Sequence, residues 1–151
     1  MCNSLERVGG GCALLLMLLC FAAVASAAEI GQIKTSKGQV TIERDGRSQP
    51  GMVGLRLQTA DVIKTGADGS AGITMDDESL LSVGPNSVLS LDRFVFDSKT
   101  NAGRFDAALN RGTLAVISGK IAKQAPDAMT VRTPTAVLGV RGTEFVVSAN
   151  D

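Results

Sequence analysis

The sequence contains no histidine, no tryptophan and no tyrosine, and its 15 basic side chains are matched by 15 acidic ones. Each absence closes a class of function. Without histidine the chain lacks the commonest metal ligand and the usual proton shuttle near neutral pH. A serine nucleophile would have no imidazole base, and no motif supports a Ser–Lys dyad. A net charge of zero argues against a generic nucleic-acid binder or a polybasic membrane-surface protein. Lys and Arg are scattered among acids with no interleaved aromatics on which bases would stack. Two carboxylates for glycoside hydrolysis are not singled out, and the four phenylalanines beyond residue 28 (Phe94, Phe96, Phe105 and Phe145) read as core rather than as sugar platforms. The expectation is a protein that is not an enzyme and carries no cofactor and no metal.

All three cysteines, Cys2, Cys12 and Cys20, fall in the first 20 residues, which differ in character from the rest. Arg7 and three glycines precede an apolar run of 13 residues from Ala13 to Ala25. A membrane span wants roughly 20 apolar residues, whereas the core of a secretory signal wants about 7–15. Ala25-Ser26-Ala27 and Ser26-Ala27-Ala28 both supply small residues at the −3 and −1 positions of a cleavage site. Residues 1–28 therefore read as a signal peptide cleaved after Ala27 or Ala28, the alternative being an uncleaved amino-terminal anchor, the one route to membrane contact. Leu19 before Cys20 stands where a lipobox wants a small residue. The remaining domain, residues 29–151, is then cysteine-free, with no disulfide, no thiolate nucleophile and no Cys-based metal site. Its expected location is periplasmic or secreted. At about 120 residues it can bury roughly two-thirds of its unfolded surface, enough for one self-sufficient core.

Glycine is what this domain has in excess, at about 11% against a usual 7% or so. Turn candidates recur at Asp45-Gly46, Gly66-Ala67-Asp68-Gly69, Asp76-Asp77-Glu78, Gly84-Pro85-Asn86, Asn101-Ala102-Gly103, Asn110-Arg111-Gly112 and Pro126-Asp127. Between them apolar residues alternate: Val40 and Ile42, then Ala71, Ile73 and Met75, Leu81 and Val83, Leu89 and Leu91, Leu114 and Val116, Phe145 and Val147. A period of two predicts strands with one face buried and one wet. Phe94 and Phe96 shift the phase by one, which predicts a bulge near Asp92-Arg93. The roughly ten-residue turn-and-strand spacing over residues 65–91 predicts an all-β fold with short strands stacked as a β-solenoid-like roll, the alternative being a β-sandwich. Residues 98–103 lie at the tip of a possible longer hairpin, with a plain solvated loop the preferred expectation. Gly119–Ala128 is expected to be a connector with room for one helical turn.

Asp76-Asp77-Glu78 is the densest acidic patch, and without calcium-loop spacing it reads as a solvated turn rather than a Ca²⁺ site. Gly66-Ala67-Asp68-Gly69 carries an acid where a phosphate would sit and is a turn, not a phosphate loop. The stretch from Thr133 to Phe145 is the most distinctive. Pro134, lacking an amide donor, is expected at a strand start, and Gly139 and Gly142 at a close approach or bulge. Arg141 is expected to bond neighbouring carbonyls or a carboxylate as part of a strand–bulge–strand latch, the alternative being capture of an anion.

These residues, in this order, resemble the FecR domain. Gly38-Gln39-Val40 opens the pattern. Ala60-Asp61-Val62-Ile63-Lys64-Thr65-Gly66 resembles the family's G-D-x-I-x-T-G step with Ala60 at the first glycine, and Gly69-Ser70-Ala71 follows. Asp77 to Ser87 resembles D-G-S-x-L-x-L-G-P-N-S, with Glu78 replacing glycine. Arg111-Gly112-Thr113-Leu114 corresponds to a turn. Thr133-Pro134-Thr135-Ala136 and Arg141-Gly142-Thr143-Glu144-Phe145 match the closing T-P-x-A and R-G-T-x-F motifs. The family-motif residues taken as structural are Thr65, Gly66, Gly84, Pro85, Asn86, Thr133, Pro134, Arg141, Gly142, Thr143 and Phe145. The resemblance implies an all-β periplasmic module, which in iron-uptake regulators senses an outer-membrane transporter and signals to a cytoplasmic anti-sigma segment. This sequence carries no such segment, so the expectation is a stand-alone module lacking the family's last strands, or the front piece of a longer chain. The implied action is protein–protein contact in envelope or iron-uptake sensing, with an envelope protein as partner. The alternative is a structural or adhesive envelope component that self-associates through its last strand, Glu144–Ser148.

Overall fold

A computed structural model of the chain describes residues 27–140 and 143–150. The signal-peptide reading therefore lies outside the described residues except at Ala27 and Ala28, which are exposed and directly precede the first strand. Among the described residues strands account for 59% and helix for 7%, which makes the fold all-β. The strands are β1 (Glu29–Lys37), β2 (Val40–Arg44), β3 (Arg47–Pro50), β4 (Arg56–Gln58), β5 (Val62–Thr65), β6 (Ser70–Met75), β7 (Leu80–Val83), β8 (Val88–Phe96), β9 (Gly103–Ile117), β10 (Met129–Arg132), β11 (Val137–Gly139) and β12 (Glu144–Ala149). They form a sheet in the order β3-β2-β5-β8-β9-β7-β6-β1-β4, curled into a half-barrel. β10 and β12 join the flank of β9, and β11 pairs with β10. Every ladder is antiparallel except β9–β10.

The curl follows from one long strand. β9 pairs with β8 and β10 along Gly103–Arg111, and with β7 and β12 along Gly112–Ile117. Gly112 marks the change of neighbours with a φ of 96°, and a Cβ there would meet Ser87 Oγ at 2.0 Å and Ser87 Cα at 2.5 Å. Only glycine fits such a bend. The inner face is apolar apart from Thr65: β6 alternates half-buried and buried, with Ala71, Ile73 and Met75 turned in, and Leu89, Leu91, Phe105, Leu109 and Leu114 are fully enclosed. Phe94 and Phe105, opposite each other on β8 and β9, meet edge to face with centroids 5.5 Å apart, an arrangement worth about 0.5–1.5 kcal/mol beyond burial. The expected bulge is present as a register shift between Leu91 and Arg93.

Five local expectations need correction. Asn110-Arg111-Gly112 is not a turn between strands: β9 runs through it unbroken and only bends at Gly112, because both of its halves stay paired to neighbours. The segment around residues 98–103 is not a plain loop: β8 runs to Phe96 and β9 starts at Gly103, so a true hairpin extends from the core, its tip closed by Asp97 N–H to Ala102 O at 2.9 Å. Aromatic pairing at its base overrides the polar tip. Pro134 does not start a strand. It sits inside a turn between β10 and β11, where Thr133 N–H donates to Ala136 O at 2.8 Å and Thr133 Oγ1 accepts from Ala136 N–H at 3.1 Å, and its fixed φ suits a turn. Gly139 makes no close approach, since a Cβ there would meet nothing within 4 Å. The acidic turn is solvated at Asp76 and Glu78 but not at Asp77, which is fully buried. The connector does carry one helical turn, α1 (Lys120–Gln124), with Ile121 and Ala122 buried.

Candidate interaction surfaces

Of the described polar motif residues Thr65 is buried, Thr133 half-buried and Asn86 and Thr143 exposed, and each takes part in hydrogen bonds that hold turns or strands together. Thr65, at the end of β5, donates its hydroxyl to Gly84 O at 2.6 Å and accepts from Ser87 N–H at 2.9 Å. Gly66 N–H donates to Gln39 O, and Gly66 O accepts from Asn86 N–H, at 2.9 and 3.0 Å. Asn86 has a φ of 50°, which asparagine tolerates, and Pro85 O accepts from Ser87 Oγ. Gly84 N–H and Thr113 N–H complete the knot through Thr113 O and Ser87 Oγ. Thr65, Gly66, Gly84, Pro85 and Asn86 thus meet at one place, where β5, the β7–β8 turn and the bend of β9 converge. The closing motif lies elsewhere: Thr133 and Pro134 in the β10–β11 turn, Thr143 O accepting from Ser118 N–H at 2.8 Å, and Phe145 half-buried against the core. Arg141 and Gly142 lie outside the described residues.

Two buried carboxylates organise the other turns. Asp61 receives both Nε and an Nη of Arg44, at 2.8 and 2.6 Å, and Gln58 N–H at 2.8 Å. The hydrogen bond to Asp61 raises the pKa of Arg44 further, against burial, aided by the charges of Asp61, Asp45 and Glu29. Asp77 is held by neutral donors: Ser79 N–H and Oγ at 3.0 and 2.8 Å, and Ile121 N–H at 3.3 Å. Its backbone carbonyl accepts from Lys120 N–H, so this turn anchors the start of α1. Among the described residues every buried side-chain nitrogen and oxygen has a hydrogen-bond partner, and no group of three or more metal-ligating side chains converges.

What remains is surface, and it comes in two kinds. On the outer face of β8, β9, β10 and β11, a groove of about 340 Å³ is lined by Asp92, Arg93, Arg104, Asp106, Thr130, Arg132 and Val137. Asp106 sits centrally, accepting from Arg104 Nε at 2.8 Å and Thr130 Oγ1 at 2.5 Å, with Arg93 Nε at 3.9 Å. Burial pushes the Asp106 carboxyl up, but the Arg104 and Thr130 hydrogen bonds and the Arg104 and Arg93 charges outweigh it, so its pKa lies below the ordinary range. Arg132 pairs with Asp92, which also accepts from Ser90 Oγ at 2.7 Å. Three half-exposed guanidiniums against two carboxylates leave this groove net positive. Each guanidinium carries five N–H donors, more than its carboxylate partner occupies. The second surface is the outer face of β7, β9 and β12, where Leu80, Ile117 and Val146 are exposed.

The groove escapes a linear reading of the sequence. Arg93, Arg104, Asp106 and Arg132 become neighbours only through the β8–β9 and β9–β10 registers, in which Arg93 faces Asp106 and Asp106 faces Thr130. Arg104 and Asp106, two apart on one strand, are its single local signal.

A model of the FecR protein family matches residues 61–151. The chain belongs to the FecR family. No curated protein and no solved structure matches it. The FecR match begins at Asp61, yet β1 to β4 precede it and share the same sheet, β1 between β4 and β6 and β2 between β3 and β5. The folded unit therefore extends amino-terminally beyond the matched FecR segment. No described helix is long and apolar enough to cross a membrane.

Proposed function

We propose that this chain is an exported FecR module that acts without catalysis, by protein–protein contact in envelope signal sensing, and that the groove around Asp106 is its contact surface for an envelope protein. The FecR family is associated with envelope signalling, which supports the general reading. The observation that carries the finer one is the arrangement of Arg93, Arg104 and Arg132 around a shallow groove beside the short edge strand β11. Planar guanidiniums with spare donors recognise carboxylates, so the fitting partner presents an acidic segment. β11 and the exposed Val137 offer that segment backbone pairing and an apolar contact. In this reading the chain resides in the periplasm or is secreted, its short strands forming a roll that displays the groove.

The test is a pull-down from envelope extracts with the whole chain and with an Arg93→Glu, Arg132→Glu variant. A discrete partner retained by the first and lost by the second is expected. Capture of nothing, or capture unaffected by charge reversal, overturns the assignment of the groove. Hydrolytic activity abolished by one carboxylate substitution overturns the non-catalytic reading. A second reading, a structural or adhesive envelope component, draws on the open edge of β12.

A further inference from the structure

Among the described residues the sheet ends at four edge strands, and three of them are blunted. Proteins protect edges with short length, charge and proline. β3 carries Arg47 and Pro50; β4 has three residues, with Arg56 bonded to Glu29 and Asp76; β11 has three residues. β12 carries only one of these devices, the charge of Glu144 at its first position. It is six residues long, contains no Lys, Arg or Pro, and pairs with β9 alone. Val147 and Ala149 point into the core, while Glu144, Val146 and Ser148 point out. Val146 is 64% exposed. It faces Ala115, and two residues along β9 from Ala115 the exposed Ile117 faces the exposed Leu80.

We infer that β12 pairs with β12 of a second copy, antiparallel, about a two-fold axis through Val146. The inference deepens the second reading above, contact through the β12 edge, and is independent of the groove. The strand's own pattern selects a second copy as the occupant. In this register Val146 faces its own counterpart, and Glu144 of either copy falls opposite Ser148 of the other, so no like charges meet. Phe145, only half-buried in one copy, gains Val147 of the other as an inward-facing neighbour. The outer apolar row then runs unbroken from Ala115 through both Val146 side chains to the other Ala115. A chain with no net charge offers no long-range repulsion to its own copy. The interface is isologous and closes on itself, giving a dimer rather than a fibre.

The geometry makes a sharp test. Residues facing each other across an antiparallel pair have Cα atoms about 4.5–5.5 Å apart, within the roughly 4.4–6.8 Å that a disulfide spans. In the full chain with Cys2, Cys12 and Cys20 changed to Ala, Val146→Cys is expected to form a disulfide-linked dimer under mild oxidation. Val95→Cys, equally exposed but on β8, is expected to stay largely uncrosslinked. By analytical ultracentrifugation the parent is expected to be a dimer, and Val146→Lys to weaken its dissociation constant at least tenfold with an unchanged far-ultraviolet spectrum. A monomeric parent, equal crosslinking at both cysteines, or a dimer indifferent to Val146→Lys overturns the inference. So does β12-dependent capture of a different protein by a monomeric parent. Charge reversal at Arg93 and Arg132 leaves this dimer intact, so the groove and the edge fail separately.

Discussion

The two halves of β9 share an inner face and differ on the outer one. Along Gly103–Arg111 the inward residues are Phe105, Ala107 and Leu109; along Gly112–Ile117 they are Leu114 and Val116. The phase moves by one between them, and the bend at Gly112 absorbs the shift, so both runs line the same core. Outward, the first half presents Arg104 and Asp106 and borders a charged groove, whereas the second presents Thr113, Ala115 and Ile117 and borders an open apolar edge. Packing constrains the inside of the curl tightly and leaves its two outer faces free to become different surfaces, one suited to an acidic partner and one to a copy of itself.

The largest expected effect tests the shared inside. Phe105→Ala removes a fully buried ring and its edge-to-face partner, and should lower stability by roughly 3–5 kcal/mol in urea unfolding. Ile117→Ala, on the outer face of the same strand, should cost less than about 0.5 kcal/mol. Comparable losses would mean that the outer face is not free. Next comes the joint between the halves. Gly112→Ala places a Cβ against the backbone of Ser87 at a φ that alanine rarely adopts, and should cost about 2–3 kcal/mol. A neutral result would show that the two halves bend independently of this residue.

A smaller effect, with the opposite sign, concerns Ala60 and Glu78, which stand where the FecR pattern has glycine. Both adopt left-handed backbone, with φ of 71° and 68°. Glycine reaches that region without the steric cost of a Cβ. Ala60→Gly and Glu78→Gly should therefore each raise stability by up to about 1 kcal/mol, measured by thermal unfolding, a net gain after the greater freedom of glycine in the unfolded chain.

These two positions show how far the sequence could be read. Period-two alternation gave away the strands because one face of each is buried, and the phase shift at Phe94 located the bulge, since a one-residue slip must be absorbed locally. Turn residues located most of the connections for the same local reason, but Asn110-Arg111-Gly112 marks a bend inside β9 rather than a connection. What depended on distant partners was hidden. Asp77 looked solvated because Gly119 and Ile121, which bond the Asp77–Ser79 turn, are 40 or more residues away in sequence. The hairpin at residues 97–102 looked like a loop because its order comes from the Phe94–Phe105 pair at its base. The groove residues are unremarkable singly and become a site only through register.

The smallest expected effect belongs to the charged half alone. The Asp106 carboxyl is held below its ordinary range, so its folded pKa lies under its unfolded one, and its contribution to stability is present above about pH 4 and lost as pH falls through the lower folded value. The groups facing it are Arg93, Arg104 and Thr130, two of them half-exposed and therefore screened by salt. Thermal unfolding of the parent and of Asp106→Asn should accordingly differ by a constant amount from pH 5 to pH 7 and converge below about pH 4, the gap narrowing in high salt. The dimer contact is built from Phe145, Val146 and Val147, and its one carboxylate, Glu144, faces a serine in the two-fold register, so dimerisation should be nearly indifferent to the same change. A gap between parent and Asp106→Asn that did not narrow at all as the pH falls, or a dimer that dissociated over the same range while still folded, would erase the division between a charged and an apolar outer face.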